Sequence, residues 1–360
     1  MSLLTLLPAC TGVIPDPGPP TPGQASGNLL QSNTTVTIAS DARFPGLCVS
    51  QTGELMVAWR SSANHHPDAA AVIKARWSTD GGKTWGTEAT VYDPTPDPRD
   101  VTLSRLADGR IALTAFHYVD ANNYQTHVAF SSDHGRTFGA PVAITSTTAS
   151  RVNACSGPVV EAANGDLLLA IYGDASSSDM QSAIVVKSTN GGTTWTEVAV
   201  IASGPGSAGD AYGPESTGGF YEPFLHRLND DTILAAVRHD REKVWFAHST
   251  DNGATWSTIT KSSKSRGGRP AICQVAETGG LVLSDRRDTT VRYTTSWDKG
   301  ATWPNADVII LPSEFRGAYA QMVEYAPGVL GHAWSMEDDL GGATLRFTAL
   351  YDSNLADPLA

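Results

Sequence analysis

The chain has 360 residues, of which 41 % are hydrophobic and only 17 % charged, with 34 glycines and 21 prolines. A formal net charge of −12 excludes nucleic acid or an anionic membrane as the main partner, while a local cluster of arginines would still suit a small anionic ligand. No run is apolar for long enough to insert across a bilayer, and the Gly-rich, Lys-poor profile suits a β-rich extracellular or virion-associated protein better than a helical cytosolic one.

Met1 to Cys10 ends in Leu-Pro-Ala-Cys, superficially like a lipoprotein signal, but no basic segment precedes it and its apolar run is short. Residues 1–30, Pro- and Gly-rich over 13–27, read as an extended arm, and residues 31–360 as one folded unit. Such an arm is expected to order by docking, on a second copy in a homo-oligomer or within a virion tail assembly. Cys10, Cys48, Cys155 and Cys273 form neither a zinc spacing nor a disulfide framework. The last three are expected as small buried residues in three non-adjacent repeats.

From residue 43 onward one pattern recurs: a polar or Pro-containing lead, an apolar strand, a Gly or Asp turn, and a second apolar strand. The leads are Arg43-Phe44-Pro45, Arg99-Asp100, Ser156-Gly157-Pro158, Tyr221-Glu222-Pro223, Arg269-Pro270 and Ala318-Tyr319. Five of the six units continue into an octad: Ser78 to Trp85, Ser131 to Phe138, Ser188 to Trp195, Ser249 to Trp256 and Ser296 to Trp303. Each octad has Ser, then Asp or Asn, then Gly, then a Thr-aromatic pair. The Asp or Asn side chain can bond backbone N–H groups two residues on, Gly accepts positive φ, and the unit closes a hairpin whose aromatic packs onto its own sheet. Octad starts are separated by 53, 57, 61 and 47 residues, the spacing of four-stranded propeller blades. The prediction is an all-β, six-bladed β-propeller. The sixth blade lacks an octad, takes Leu345 to Leu350 as a strand and borrows Thr34 to Ile38 from the N-terminus to close the ring.

The first strand of each blade lines the central channel, so the charged and phenolic leads converge on one mouth, as a polar-ligand pocket requires. Neither His65-His66 nor His239 has a third ligand at metal spacing, so neither a metal nor a cofactor is expected.

The octad resembles the Asp-box, or BNR repeat, of the sialidase (neuraminidase) superfamily, and the likeness extends over roughly residues 35–355. Arg43-Phe44-Pro45 resembles that family's Arg-Ile-Pro motif, which supplies the first of three arginines binding a sugar carboxylate. Glu222-Pro223 with Arg238, 16 residues on, resembles its glutamate and second arginine. Arg286 matches the third arginine better than Arg287, and Ala318-Tyr319 the nucleophilic tyrosine, with Glu222 as its base. Asp68, 25 residues after Arg43, sits where the family keeps its acid/base aspartate and would need a pKa raised by partial burial. Arg60 and Arg269 are further cations for substrate binding, and Arg269 is one the family pattern lacks. The resemblance implies a retaining exo-glycoside hydrolase for terminal acidic sugars of glycans. Two alternatives stay open: a non-catalytic glycan-binding or structural propeller of a bacteriophage tail, and a propeller lyase or hydrolase for a uronic-type sugar.

Overall fold

The computed structural model describes residues 29–360 except 66, 177–179, 204–218, 240–242, 263–267, 288–289, 304–307, 310–315, 339–340 and 353–354. Every strand in it belongs to one of six antiparallel sheets, and no helix occurs among the described residues. The predicted arm up to residue 28, Cys10 included, lies outside them.

The sheets follow one another along the chain as blades. Blade one runs from Ala42–Val49 outward through Leu55–Ser61 and Val72–Ser78 to Ala89–Tyr92. The inner strands of blades two, four and five are Pro98–Arg105, Phe220–Arg227 and Ala271–Gln274. Blade three departs from expectation. Its inner strand is two pieces, Val152–Cys155 and Val160–Glu161, both paired with Leu167–Asp174. The break falls at Ser156 to Val159, where Pro158 has no N–H to give to the ladder. Blade six is assembled from both ends of the chain, as expected: Leu29–Ser40 pairs with Ala343–Asp352, which continues through Val329–Glu337 to the inner strand Arg316–Ala326. The N-terminal strand thereby covers an edge that would otherwise be open.

Apolar clusters seal the seams between blades. Ile73 and Leu113 join blades one and two, Leu169 belongs to the seam of two and three, and Leu168 with Ala235 to that of three and four. Phe224, Ile272 and Met322 connect blades four to six, and Trp59 with Phe347 closes six onto one. The inner strands enclose a cavity of about 110 Å³ lined by Leu47, Leu103, Val159, Phe224, Ile272 and Met322, one from each blade. Gln321 ties three blades there. Its Oε1 accepts from the Leu47 N–H at 3.1 Å and the Leu103 N–H at 3.2 Å, and its Nε2 donates to the Leu103 carbonyl at 2.6 Å. Cys48, Cys155 and Cys273 are buried in blades one, three and five, and no disulfide joins them to one another.

The five octads join the third and fourth strands of their blades and share one bonding scheme. In the first, Ser78 Oγ donates to Asp80 Oδ1 at 2.8 Å and accepts from the Gly82 N–H at 2.8 Å. Asp80 then receives the Thr84 N–H at 2.9 Å, four residues on rather than two, because the octad is a wide loop that the carboxylate spans. The aromatic differs from expectation too. Trp85 meets Phe347 of the preceding blade at 5.4 Å, and Trp303 stacks on Phe246 of blade four at 5.0 Å, so these rings fasten neighbouring blades. The last octad glycine makes the same crossing: at Gly192, with φ of 94°, an added Cβ would lie 2.2 Å from the Phe130 ring of blade two.

At Asp80 and Asp133 partial burial opposes ionisation, but bonds from Thr84 and Ser78, or from Thr137 and Ser131, outweigh it. At Asp251 the bonds from Thr255 lead, and all three carboxyls are held at about 2. Folded-state values below the unfolded ones give stability that is present above the ordinary carboxylate range and lost as pH falls toward about 2. Replacing these three residues with Asn, which Asn190 already shows the scheme tolerates, is expected to flatten the decline in melting temperature between about pH 4 and 2. Thermal melts across that range check it.

Candidate functional site

The inner strands of blades one, two, four and six carry the same irregularity. Pairing slips between Arg43 and Gly46, Arg99 and Thr102, Tyr221 and Phe224, and Gly317 and Ala320. At three of these bulges a non-glycine residue is left-handed: Phe44 (φ 52°), Asp100 (φ 52°) and Glu222 (φ 47°). Such conformations are strained by about 1–3 kcal/mol each and gather at functional sites. Leads from separate blades meet here. Phe44 packs on Tyr319 at 5.2 Å between ring centroids, Arg99 lies 5.3 Å from Phe44, and Arg269 lies 5.4 Å from the Tyr319 ring.

At the centre, the Tyr319 hydroxyl donates to Glu222 Oε1, while Arg238 Nη1 donates to Glu222 Oε2 at 2.9 Å. Glu222 is 4 % exposed. Burial pushes its carboxyl up, but the Arg238 charge and the Tyr319 and Arg238 hydrogen bonds prevail and hold it below the usual range. Burial, then the negative charges of Glu222 and Asp100, push the Tyr319 phenol well above its ordinary value. Asp100 is also buried, and desolvation raises its carboxyl to about 6 despite the Arg269 charge nearby. Tyr172 of blade three completes the group. It is felt electrostatically by Asp100, Glu222 and Tyr319, and its own phenol is raised by burial.

The sequence-predicted arginines divide by what already holds them. Arg238 keeps a partly exposed side chain beside Glu222. Arg286 is half-buried at the end of Leu281–Arg287, against Gly268, and its charge helps hold the Glu337 carboxyl low after burial and the His65 bond are counted. The Arg287 side chain lies outside the described residues. Arg43 is fully buried. Its guanidinium donates to the Ser62 and Gly341 carbonyls and its Nε stands 3.3 Å from Glu337, which also takes His65 Nδ1 at 2.9 Å. Arg60 is equally buried and forks onto Asp97 at 2.6 and 2.9 Å. Its guanidinium is thus engaged within the fold rather than offered to a ligand.

Asp68 lies on the loop between Leu55–Ser61 and Val72–Ser78. Its backbone N–H donates to Asp97, and its carboxylate accepts from Ser62 Oγ at 2.7 Å and the Ala70 N–H at 3.0 Å. Those bonds, Ser62 first, hold it below the ordinary carboxylate range, opposite to the upward shift expected of an acid. No group of three or more metal-ligating side chains occurs among the described residues. The sequence pattern marks Asp100 only as the neighbour of Arg99 and gives no sign of Glu337 or Tyr172. For Asp100 a signal existed: Phe44, Asp100 and Glu222 each stand nine residues before a positive-φ turn residue, Gly53, Gly109 and Asp231.

Among solved structures, a protein of unknown function from Dyadobacter fermentans superposes with a TM-score of 0.78 at 17 % identity, covering 90 % of this chain and 99 % of that one. The Hadza microbial sialidase Hz136 aligns at 0.67 and 18 % identity, covering 87 % of this chain and 66 % of that one. The intramolecular trans-sialidase of Ruminococcus gnavus, solved with oseltamivir carboxylate, aligns at 0.66 and 13 % identity, covering 87 % and 94 %. At these identities the likeness is one of fold, the six-bladed sialidase propeller. No curated protein sequence matches the chain. The profile of the BNR repeat-like domain matches residues 53–283, well over half of the sequence, and the chain therefore belongs to the BNR repeat-like domain family.

Proposed function

We propose that the chain is a sialidase-like, retaining exo-glycoside hydrolase acting on terminal acidic sugars of glycans. The observation that carries this reading is the Tyr319–Glu222–Arg238 chain, a phenol hydrogen-bonded to a carboxylate that a guanidinium fixes from the other side. Most glycoside hydrolases use a pair of carboxylates, and sialidases with a tyrosine nucleophile depart from that rule. The physical reason is charge: at a sugar centre bearing a carboxylate, an anionic nucleophile is repelled, and a tyrosine attacks as a nearly neutral group. Glu222 Oε1 takes the Tyr319 proton as Oη bonds to the anomeric carbon. The glycosidic C–O bond breaks, and Asp68 supplies the proton to the leaving oxygen. Water then attacks the same carbon with Asp68 as base, and Tyr319 departs with its proton returned from Glu222.

Arg238 and Arg286 would hold the sugar carboxylate, with Arg43 adding its charge while both of its Nη groups stay on the Ser62 and Gly341 carbonyls. Asp68 becomes an acid on this reading once a bound sugar displaces the Ser62 hydrogen bond. The test is release of a fluorogenic phenol from sialosides, with the first-formed anomer identified by NMR. Release with retention supports the proposal, and absence of turnover on any acidic glycoside opposes it.

The engagement of Arg43 and the ionised Asp68 favour a second reading, a glycan-binding propeller without turnover, as in a virion tail. It predicts glycan affinity that survives both Asp68→Ala and Tyr319→Phe, measured by calorimetry with a sialylated oligosaccharide.

A further inference from the structure

Arg269 stands just ahead of the inner strand of blade five, a cation that the family pattern lacks. Its side chain is 2 % exposed, and none of its three guanidinium nitrogens has a hydrogen-bond partner among the described residues. A buried guanidinium without partners is strongly destabilising unless its charge meets a compensating field. Two features supply one. The face of the Tyr319 ring lies 5.4 Å from the guanidinium carbon, and the buried carboxyls of Asp100 and Glu222, both at left-handed bulge positions, are within electrostatic range. Near-complete burial leaves Arg269 little surface to offer a ligand.

We infer that Arg269 is a positioning residue for Tyr319, its charge held against the ring to stabilise the negative charge that develops as the phenol gives its proton to Glu222. A cation at a ring face is attracted to a neutral phenol by the quadrupole alone, but to a phenolate by a full charge delocalised into the same ring. The attraction therefore grows along the proton transfer, which is the condition for lowering a barrier rather than merely binding. Proton and electrons balance within the site: the Oη–H bond breaks, the proton passes to Glu222 Oε1, and the freed pair on Oη forms the new bond to carbon. The other groups felt by Tyr319 are Glu222 and Asp100, which oppose its ionisation, and Arg238, which favours it, with the Tyr172 phenol also in range. Arg238 faces the carboxylate of Glu222 through its Nη1, which leaves Arg269 as the cation on the ring itself.

The inference rests on Tyr319 as nucleophile, but its test does not require turnover. A fluorinated tyrosine, a stronger acid than tyrosine, is placed at position 319 of the full chain and titrated by fluorine NMR. Arg269→Met is expected to raise its apparent pKa by about one unit, a tenfold weaker acid, with Arg269→Lys restoring part of the loss. Asp100→Asn is expected to move it the other way. Superimposable titrations in the Met and Lys variants overturn the inference, as does a lower pKa in the Met variant. If the Met variant does not fold, the opposed shifts in Arg269→Lys and Asp100→Asn decide it, and unchanged titrations there overturn it equally. A shifted titration in a protein that turns over no acidic glycoside keeps this inference and removes the nucleophile reading. Turnover with unshifted titrations does the reverse.

Discussion

Tyr319→Phe is expected to reduce turnover of a fluorogenic sialoside by about a thousandfold or more while leaving KM within a few-fold of the parent. The ring remains, with its contacts to Phe44 and Arg269, so the pocket keeps its shape. What goes is Oη, the atom that would form the bond, and with it the hydrogen bond to Glu222. Glu222 then keeps its Arg238 hydrogen bond in a site where it is 4 % exposed. Glu222→Gln is expected to fall nearly as far, because base and nucleophile act as one unit and their losses do not add. Initial rates on matched, folded preparations decide this, and a Phe variant retaining a tenth of parental activity contradicts it.

Asp97→Ala is expected to be the most destabilising single change near the site, by about 3–5 kcal/mol. Arg60 and Asp97 are 0 % and 2 % exposed, and the guanidinium forks onto both carboxylate oxygens. Removing the carboxylate strips both fork bonds from a buried positive charge, whereas replacing both partners removes the problem with the charges. Asp97→Leu combined with Arg60→Met is therefore expected to lie within about 1–2 kcal/mol of the parent. The single change also releases the Asp68 backbone N–H, so the loop carrying that carboxylate loses an anchor. Urea titrations of the single and double variants measure the coupling, and additive losses contradict it.

How much of this was legible in the sequence follows from how local each feature is. The octads were readable because the bonds that shape each turn close within eight residues, from Ser78 Oγ to Thr84 N. What they could not announce is where the aromatic lands, since Phe347 and Trp85 are far apart in sequence and meet only when the ring closes. Blade six was readable because both chain ends offered apolar strands and no other partner for them. The meeting of Glu222 with Tyr319 followed from blade phase, each residue standing at the head of an inner strand. The left-handed bulges at Phe44 and Glu222 carried no composition signal, for Phe and Glu, unlike Asp, are not residues that advertise positive φ. The engagement of Arg43 was beyond sequence reading, as its fork meets the carbonyl of Gly341, 298 residues away. Asp68 shows the limit of positional analogy: its loop position was anticipated, yet Ser62 and Ala70 set its carboxyl opposite to expectation.

The most direct measurement is covalent. A fluorinated sialosyl fluoride, reactive at the anomeric carbon but slow to release, is incubated with the protein, which is then digested and analysed by mass spectrometry. One added sugar is expected on the peptide containing Tyr319, formed in the parent and absent from Tyr319→Phe. A label on Glu222 or Asp68, or hydrolysis of acidic glycosides that survives in Tyr319→Phe, contradicts it.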